Sequence, residues 1–350
     1  MNESPNNLQA ASPECNNLVL QVENLHTYFY TTEGIVKAVN GASFSVKKGQ
    51  VLGMVGESGC GKSVIAQSIL RIVPPAGKIV SGQILYSSSK LNQSNTPGNP
   101  VDLLQLDSRG KEMRKIRGSE ISMVFQEPMT SLDPVYTIGE QLLEAITLHQ
   151  EPNPQKARVL GIDVLRRVGI PHPERSIDMY PHQMSGGMRQ RAMIAIAISC
   201  HPNLLIADEP TTALDVTTEA QILDLMRKLQ EELGTAILFI THNLGVVAEM
   251  CQDVAVMYLG KVVEYADVDS LFFEPKHPYT RALLNSIPQY GKQRKQRLQP
   301  IRGSVPDPYH NLKGCPFWPR CEQFIPEVCD VIEPANRVIS STHEVRCHLY

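Results

Sequence analysis

Apolar and polar positions along the chain fall into short segments whose period switches repeatedly between strand and helix. Residues 18–22 and 28–30 predict strands, and residues 35–46 alternate around Asn40-Gly41. Val51-Leu52-Gly53-Met54-Val55 is an unbroken apolar run leading into a glycine loop, the pattern of a strand buried on both faces. Residues 62–73 place Ile65, Ile69, Leu70 and Val73 at helical spacing and stop at Pro74-Pro75. Strand, glycine loop and helix make one half of a βαβ unit. Spacing is mostly helical over about 138–199. Strand-like runs return at residues 204–207 and 236–240, with an amphipathic helix at 218–233 between them. This alternation predicts an α/β fold with a largely parallel sheet and no internal repeat.

Composition narrows the class. The 350 residues, 42% apolar and 20% charged, suffice for about two domains and a sizeable core. A net charge of −3 supplies no global basic field for nucleic acid. Residues 1–17 hold no basic residue and no apolar segment, which predicts a disordered tail rather than a secretory signal. Residues 87–100 read as a flexible surface insertion. No run approaches the roughly 18 apolar residues of a spanning helix, so an intracellular, soluble chain is expected. Cys315, Cys321, Cys329 and Cys347 crowd the C-terminal end, which in such a chain points to metal or redox chemistry before disulfides.

The candidate chemistry begins at Gly56-Glu57-Ser58-Gly59-Cys60-Gly61-Lys62-Ser63, which fits the phosphate-loop pattern. Glycines let backbone N–H groups converge on phosphate oxygens, and the helix N-terminus adds positive potential. Lys62 is expected to reach the β- and γ-phosphates of ATP, and the Ser63 hydroxyl to ligate Mg²⁺. A tight glycine turn is the plainer alternative, but the strand–loop–helix setting argues against it. A second apolar strand ends in Asp208-Glu209. Asp208 is placed to hold Mg²⁺ through its water shell, and Glu209 to polarise an attacking water.

Met184-Ser185-Gly186-Gly187-Met188-Arg189-Gln190-Arg191 resembles the signature of ABC ATPases. Met184 stands for the usual Leu and Met188 for the commoner Gln. That resemblance implies a nucleotide-binding domain with a RecA-like core, an antiparallel β subdomain and a helical subdomain near 137–200. It also implies Ser185, Gly186 and Gly187 as γ-phosphate donors to a partner's ATP. Gln126 matches the Q-loop residue that senses Mg²⁺ and the attacking water. Ala213-Leu214-Asp215 matches the D-loop along the dimer seam, and His242 the switch histidine. Phe29, with Tyr30 second, fits the aromatic that stacks on adenine. One phosphate loop and one signature per chain imply a dimer of nucleotide-binding domains.

Several stretches resemble the oligopeptide/dipeptide (and nickel) permease ATPases in particular: residues 125–134, Tyr180-Pro181-His182-Gln183, Val254-Ala255-Val256-Met257-Tyr258 and His277-Pro278-Tyr279-Thr280. The implied division is an ABC ATPase domain over 18–265 and a small cysteine-containing C-terminal extension over 266–350. The four cysteines lack the paired knuckles of structural zinc. They suit a [4Fe–4S] cluster, with zinc, free thiols or disulfides as the alternatives. Such a cluster is expected to serve folding of the extension, since the ATPase motifs are complete without it. The basic run Lys292, Arg294, Lys295 and Arg297 reads as a solvated connector.

The resemblance implies a transport-coupled ATPase, peripheral on the cytoplasmic face of the membrane. Its partners would be a related but distinct ATPase subunit, two transmembrane permease subunits and an extracytoplasmic solute-binding protein, with no nucleic acid. The alternatives are a soluble ABC ATPase acting in iron–sulfur assembly or on nucleic acid, and a subunit importing nickel or cationic peptides.

Overall fold

The computed structural model describes residues 17–88, 100–127, 131–212, 214–286, 301–309 and 312–350. The basic run at 292–297, most of the insertion at 87–100, and the expected tail except Asn17 lie outside these residues.

Four strands form an antiparallel sheet in the order β2-β1-β4-β5: β1 (Leu18–Tyr30), β2 (Ile35–Lys47), β4 (Gly77–Tyr86) and β5 (Val101–Asp102). The pattern predicts two strands where β1 is one of 13 residues. Its pairing with β2 slips between Val22 and His26, and Asn24 sits there with φ 46°. This bulge breaks the two-residue alternation and hides the strand's continuity.

The second sheet has the order β11-β12-β10-β9-β3-β8-β7-β6. Its parallel part comprises β9 (Asp253–Tyr258), β3 (Val51–Val55), β8 (Ala236–Ile240), β7 (Leu204–Asp208) and β6 (Ile121–Val124). Every residue of β3, β7, β8 and β9 is buried, which is why these strands read as continuous apolar runs. Their C-terminal ends lead into the phosphate loop, Glu209 and Thr241, the edge where α/β sheets bind ligands.

The helical region holds Ile138–His149, Pro154–Arg167, Pro173–Ser176 and Gly186–Ile198. Thr137 and Glu140 close a capping box at the first, and Asn153 followed by Pro154 starts the second. Leu142, Ile146, Leu165, Ile177 and Met184 are buried here in one core with the sheet. Met184 is only 4% exposed, as a volume-conserving replacement for Leu should be.

The C-terminal part continues the same sheet. β10 (Lys261–Asp267) pairs antiparallel with β9 and with β12 (His343–Val345), which carries β11 (Arg337–Ser340) at the edge. Helices Val268–Phe273 and Pro278–Asn285 follow β10. Tyr258, Tyr279 and Phe317 form a buried ring cluster with centroids 4.7–5.4 Å apart. Among the described residues no helix is long and apolar enough to cross a membrane.

Candidate active site

Between β3 and the helix Lys62–Ile69, the loop is shaped by Gly56 and Gly61, which admit nothing larger. Gly61 has φ +105°, and a Cβ there would lie 2.1 Å from the Ala38 carbonyl oxygen. At Gly56 a Cβ would lie 2.3 Å from the Met257 carbonyl oxygen. The backbone therefore hugs β2 and β9 at these two positions, whereas Gly59 between them faces open space. Lys62 is 6% exposed, and its ammonium donates to the carbonyls of Gly56 at 2.8 Å and Glu57 at 3.3 Å. Burial raises the pKa of the Cys60 thiol, with Lys62 partly opposing it, so Cys60 packs as a neutral side chain.

At the end of β7 the Asp208 carboxyl is buried. Burial pushes its pKa up, the Ser63 hydroxyl bond pulls it down, the Glu209 charge raises it again and Lys62 lowers it. Its Oδ1 is buried without a hydrogen-bond partner. A buried carboxylate oxygen lacking a donor, beside a serine hydroxyl, is the oxygen-donor set a hard cation such as Mg²⁺ requires. The residues present therefore fit the ion.

Glu209 follows with φ 47°, in the left-handed region, its N–H donating to the Ile240 carbonyl at 2.8 Å. The turn delivers the carboxylate to a meeting point of three elements. Gln126 Nε2 donates to Oε2 at 3.1 Å, and Thr212 Oγ1 donates to the same oxygen at 3.0 Å. His242 Nδ1 lies 3.2 Å from Oε1. Gln126, Glu209 and His242, separately expected from sequence, thus form one polar cluster. Thr212 was not among the candidates; a threonine in a loop carries no signal beyond polarity.

Other candidates sit apart from this cluster. Ser185 caps the helix Gly186–Ile198 by accepting the Met188 N–H at 3.3 Å, and a Cβ added at Gly186 would meet nothing within 4 Å. The helix start therefore faces outward. Gln190 Nε2 bonds the Pro210 carbonyl, tying this helix to the segment that carries Glu209. Asp215 caps the helix Val216–Leu233, accepting from Thr218 N–H at 3.0 Å and Thr218 Oγ1 at 2.7 Å. Phe29 lays its ring against Gly77, where a Cβ would come within 2.9 Å of the ring. Tyr30, 46% exposed, lies under the Lys78 ammonium. Ala213 and Pro128-Met129-Thr130 lie outside the described residues.

The tail cysteines do not add support to the metal expectation. All four are free thiols. Burial pushes Cys315 up to about 12, and Cys347, Cys329 and Cys321 add to that shift, so the four share one neighbourhood. Yet among the described residues no group of three or more Cys, His, Asp or Glu is arranged to hold a metal ion. The donor chemistry is soft enough for iron or zinc, but the four thiols are not arranged as a formed metal site, so their arrangement lends the iron–sulfur expectation no support.

Residues 39–212 match the ABC transporter family, and residues 263–329 match the oligopeptide/dipeptide transporter C-terminal region. The chain is 49% identical over 331 residues to a probable peptide ABC transporter ATP-binding protein of Sinorhizobium fredii, covering 94% of each chain. It is 46% identical over 332 residues to a dipeptide transport ATP-binding protein of Bacillus subtilis, covering 95% of this chain and 94% of that one. Among solved structures it resembles the dimeric ATP-binding cassette MJ0796 in a post-hydrolysis state bound to ADP and Pi, at 25% identity and a TM-score of 0.60, over 71% of this chain and 98% of that one. With the phosphate loop, the paired acids and the glutamine–glutamate–histidine cluster in register, the chain belongs to the ABC transporter ATPases of the oligopeptide/dipeptide branch.

Proposed function

We propose that the chain is the ATP-hydrolysing subunit of a peptide importer, acting on the cytoplasmic face of the membrane. The observation that carries the reading is the convergence of Gln126, Thr212 and His242 on Glu209, next to the Ser63–Asp208 pair. Residues 56–63 cradle the phosphates, and Lys62 leaves the Gly56 and Glu57 carbonyls for the β- and γ-phosphates. Ser63, Asp208 and Gln126 hold Mg²⁺, which when bound neutralises developing charge on the phosphates. Gln126 orients the attacking water, and Glu209 takes its proton as the water oxygen bonds phosphorus and the bond to ADP breaks. His242 bonds a γ-phosphate oxygen. Phe29 stacks on adenine.

Ser185, Gly186 and Gly187 face outward and serve the ATP held by a second, related ATPase subunit, with Asp215 along the seam. Two transmembrane permease subunits and an extracytoplasmic solute-binding protein complete the assembly. The ATPase domain spans 18–265, with its helical part near 137–200, and the extension spans 266–350. In the extension, Cys315, Cys321, Cys329 and Cys347 would be the ligands of a [4Fe–4S] cluster, which would serve folding of the extension; the soft donor chemistry of four thiols is what favours this reading. Names of the relatives favour peptide over nickel as the cargo.

Fractionation and affinity capture of the tagged chain test the reading. Recovery from membranes with two permease subunits and a second ATPase is expected. Recovery from the cytosol with iron–sulfur assembly proteins or nucleic acid would overturn it.

A further inference from the structure

Glu57, the second residue of the phosphate loop, is held from outside the loop. Arg320 lies in the single turn Trp318–Arg320, immediately before Cys321, with a side chain 4% exposed. Its guanidinium grips the Glu57 carboxylate with two parallel bonds, Nη1 to Oε2 at 2.7 Å and Nη2 to Oε1 at 3.1 Å. Nη1 also reaches the Tyr258 hydroxyl at 3.3 Å, and Nε donates to the Arg302 carbonyl at 2.8 Å. The Glu57 backbone N–H donates to the Tyr279 hydroxyl at 3.0 Å. Loop residue Glu57 is thus fixed at side chain and backbone by groups from two segments beyond residue 278.

A largely buried ion pair is weak support for stability, because desolvation offsets most of the attraction. A forked guanidinium–carboxylate pair does fix orientation. The Glu57 carbonyl is one of the two that hold the Lys62 ammonium. Rotation of this residue would therefore move both the lysine's resting place and the N–H groups that converge on phosphate. Ring packing keeps the clamp in place: Arg320 lies 5.8 Å from the Tyr258 ring centroid and 6.0 Å from that of Phe317.

We propose that Arg320 and Tyr279 are positioning residues for the phosphate loop, so that the cysteine-bearing C-terminal segment sets the affinity of the ATP site through Glu57. The proposal rests on the reading of residues 56–63 as the ATP cradle. It makes the extension part of the nucleotide site's support rather than a separate appendage. A disturbance of the turn before Cys321 reaches the loop through two hydrogen bonds.

The test uses the full chain for MgATP binding by calorimetry and thermal unfolding without nucleotide, and the assembled transporter for KM and kcat. Arg320→Gln should weaken ATP binding and raise KM about tenfold, with kcat at saturating ATP within about twofold of wild type. Arg320→Lys should restore only part of the loss, because an ammonium cannot fork. Glu57→Gln combined with Arg320→Gln should bind no more weakly than Arg320→Gln alone. A purely structural role would lower the unfolding temperature and leave KM unmoved. ATP affinity of Arg320→Gln within about twofold of wild type, or additive losses in the double variant, would overturn the proposal. Should Arg320→Gln not fold, Tyr279→Phe removes one oxygen only; about a threefold weaker affinity supports the clamp and an unchanged affinity overturns it. Lys62→Ala serves as the control. If it binds ATP as tightly as wild type, the reading of the loop falls with the proposal; if it alone loses binding, only the proposal falls.

Discussion

Glu209→Gln should separate ATP binding from hydrolysis more cleanly than any other single change. In the structure the carboxylate accepts from Gln126 and Thr212 on Oε2 and meets His242 on Oε1. A glutamine can place its carbonyl oxygen at the first position and its amide N–H₂ toward His242, whose Nδ1 accepts in one neutral tautomer. All three contacts then survive without charge, and the left-handed backbone at φ 47° is equally demanding for either residue. Folding stability should therefore change by no more than about 1 kcal/mol. The base is lost entirely, which costs about 10²–10⁴-fold in hydrolysis, or roughly 3–5 kcal/mol of barrier. Single-turnover hydrolysis of labelled ATP, beside calorimetric ATP binding, measures both sides. Hydrolysis within about tenfold of wild type at intact binding, or binding lost in proportion to rate, would refute the assignment of Glu209 as base.

Two glycines of the loop should differ sharply. Gly61→Ala puts a Cβ 2.1 Å from a backbone oxygen and should destabilise by more than about 3 kcal/mol, whereas Gly59→Ala, with φ +79° and nothing within 4 Å, should cost about 1–2 kcal/mol, both read by thermal unfolding. Acid should loosen the start of the helix Pro278–Asn285. Burial lowers His277 from 6.5 to about 4, so the unfolded chain takes up a proton there first; stability is full above pH 6.5 and falls by about 3 kcal/mol on descent to pH 4. Glu264 adds loss in the same direction at lower pH: burial raises its pKa, but bonds from His343, Thr280 and two backbone N–H groups outweigh that and hold it below its usual value. His277→Asn, which can still cap the Tyr279 N–H, should flatten the slope between pH 6.5 and 4 in denaturant titrations. Anaerobically purified chain should carry about four irons with broad absorption near about 400 nm; stoichiometric zinc without iron would refute the cluster.

Chemistry in this chain was legible where residues must sit in a fixed local spacing. The phosphate loop needs its glycines and Lys62 within one turn, and Asp208-Glu209 needs a buried strand before it; both are printed in consecutive residues. Which distant residues would meet Glu209 followed only from resemblance, since nothing local links Gln126 to His242. The antiparallel sheet was half visible. The bulge at Asn24 split β1 into two apparent strands, and β4, whose apolar positions are interrupted by Ser81 and Gly82, shows no clear period. Least legible was the tie between the C-terminal segment and the loop. Nothing in the sequence links Arg320 to Glu57 until the fold brings the two into direct contact.

Transport by the reconstituted assembly tests the central claim most directly. Vesicles containing the complex, loaded with ATP on the side that holds this subunit and supplied with binding protein and labelled dipeptide outside, should accumulate peptide. Uptake should cease with Glu209→Gln although ATP remains bound. Uptake that persists with Glu209→Gln, or accumulation of nickel but no peptide by the wild-type complex, would contradict a peptide importer driven by hydrolysis at this site.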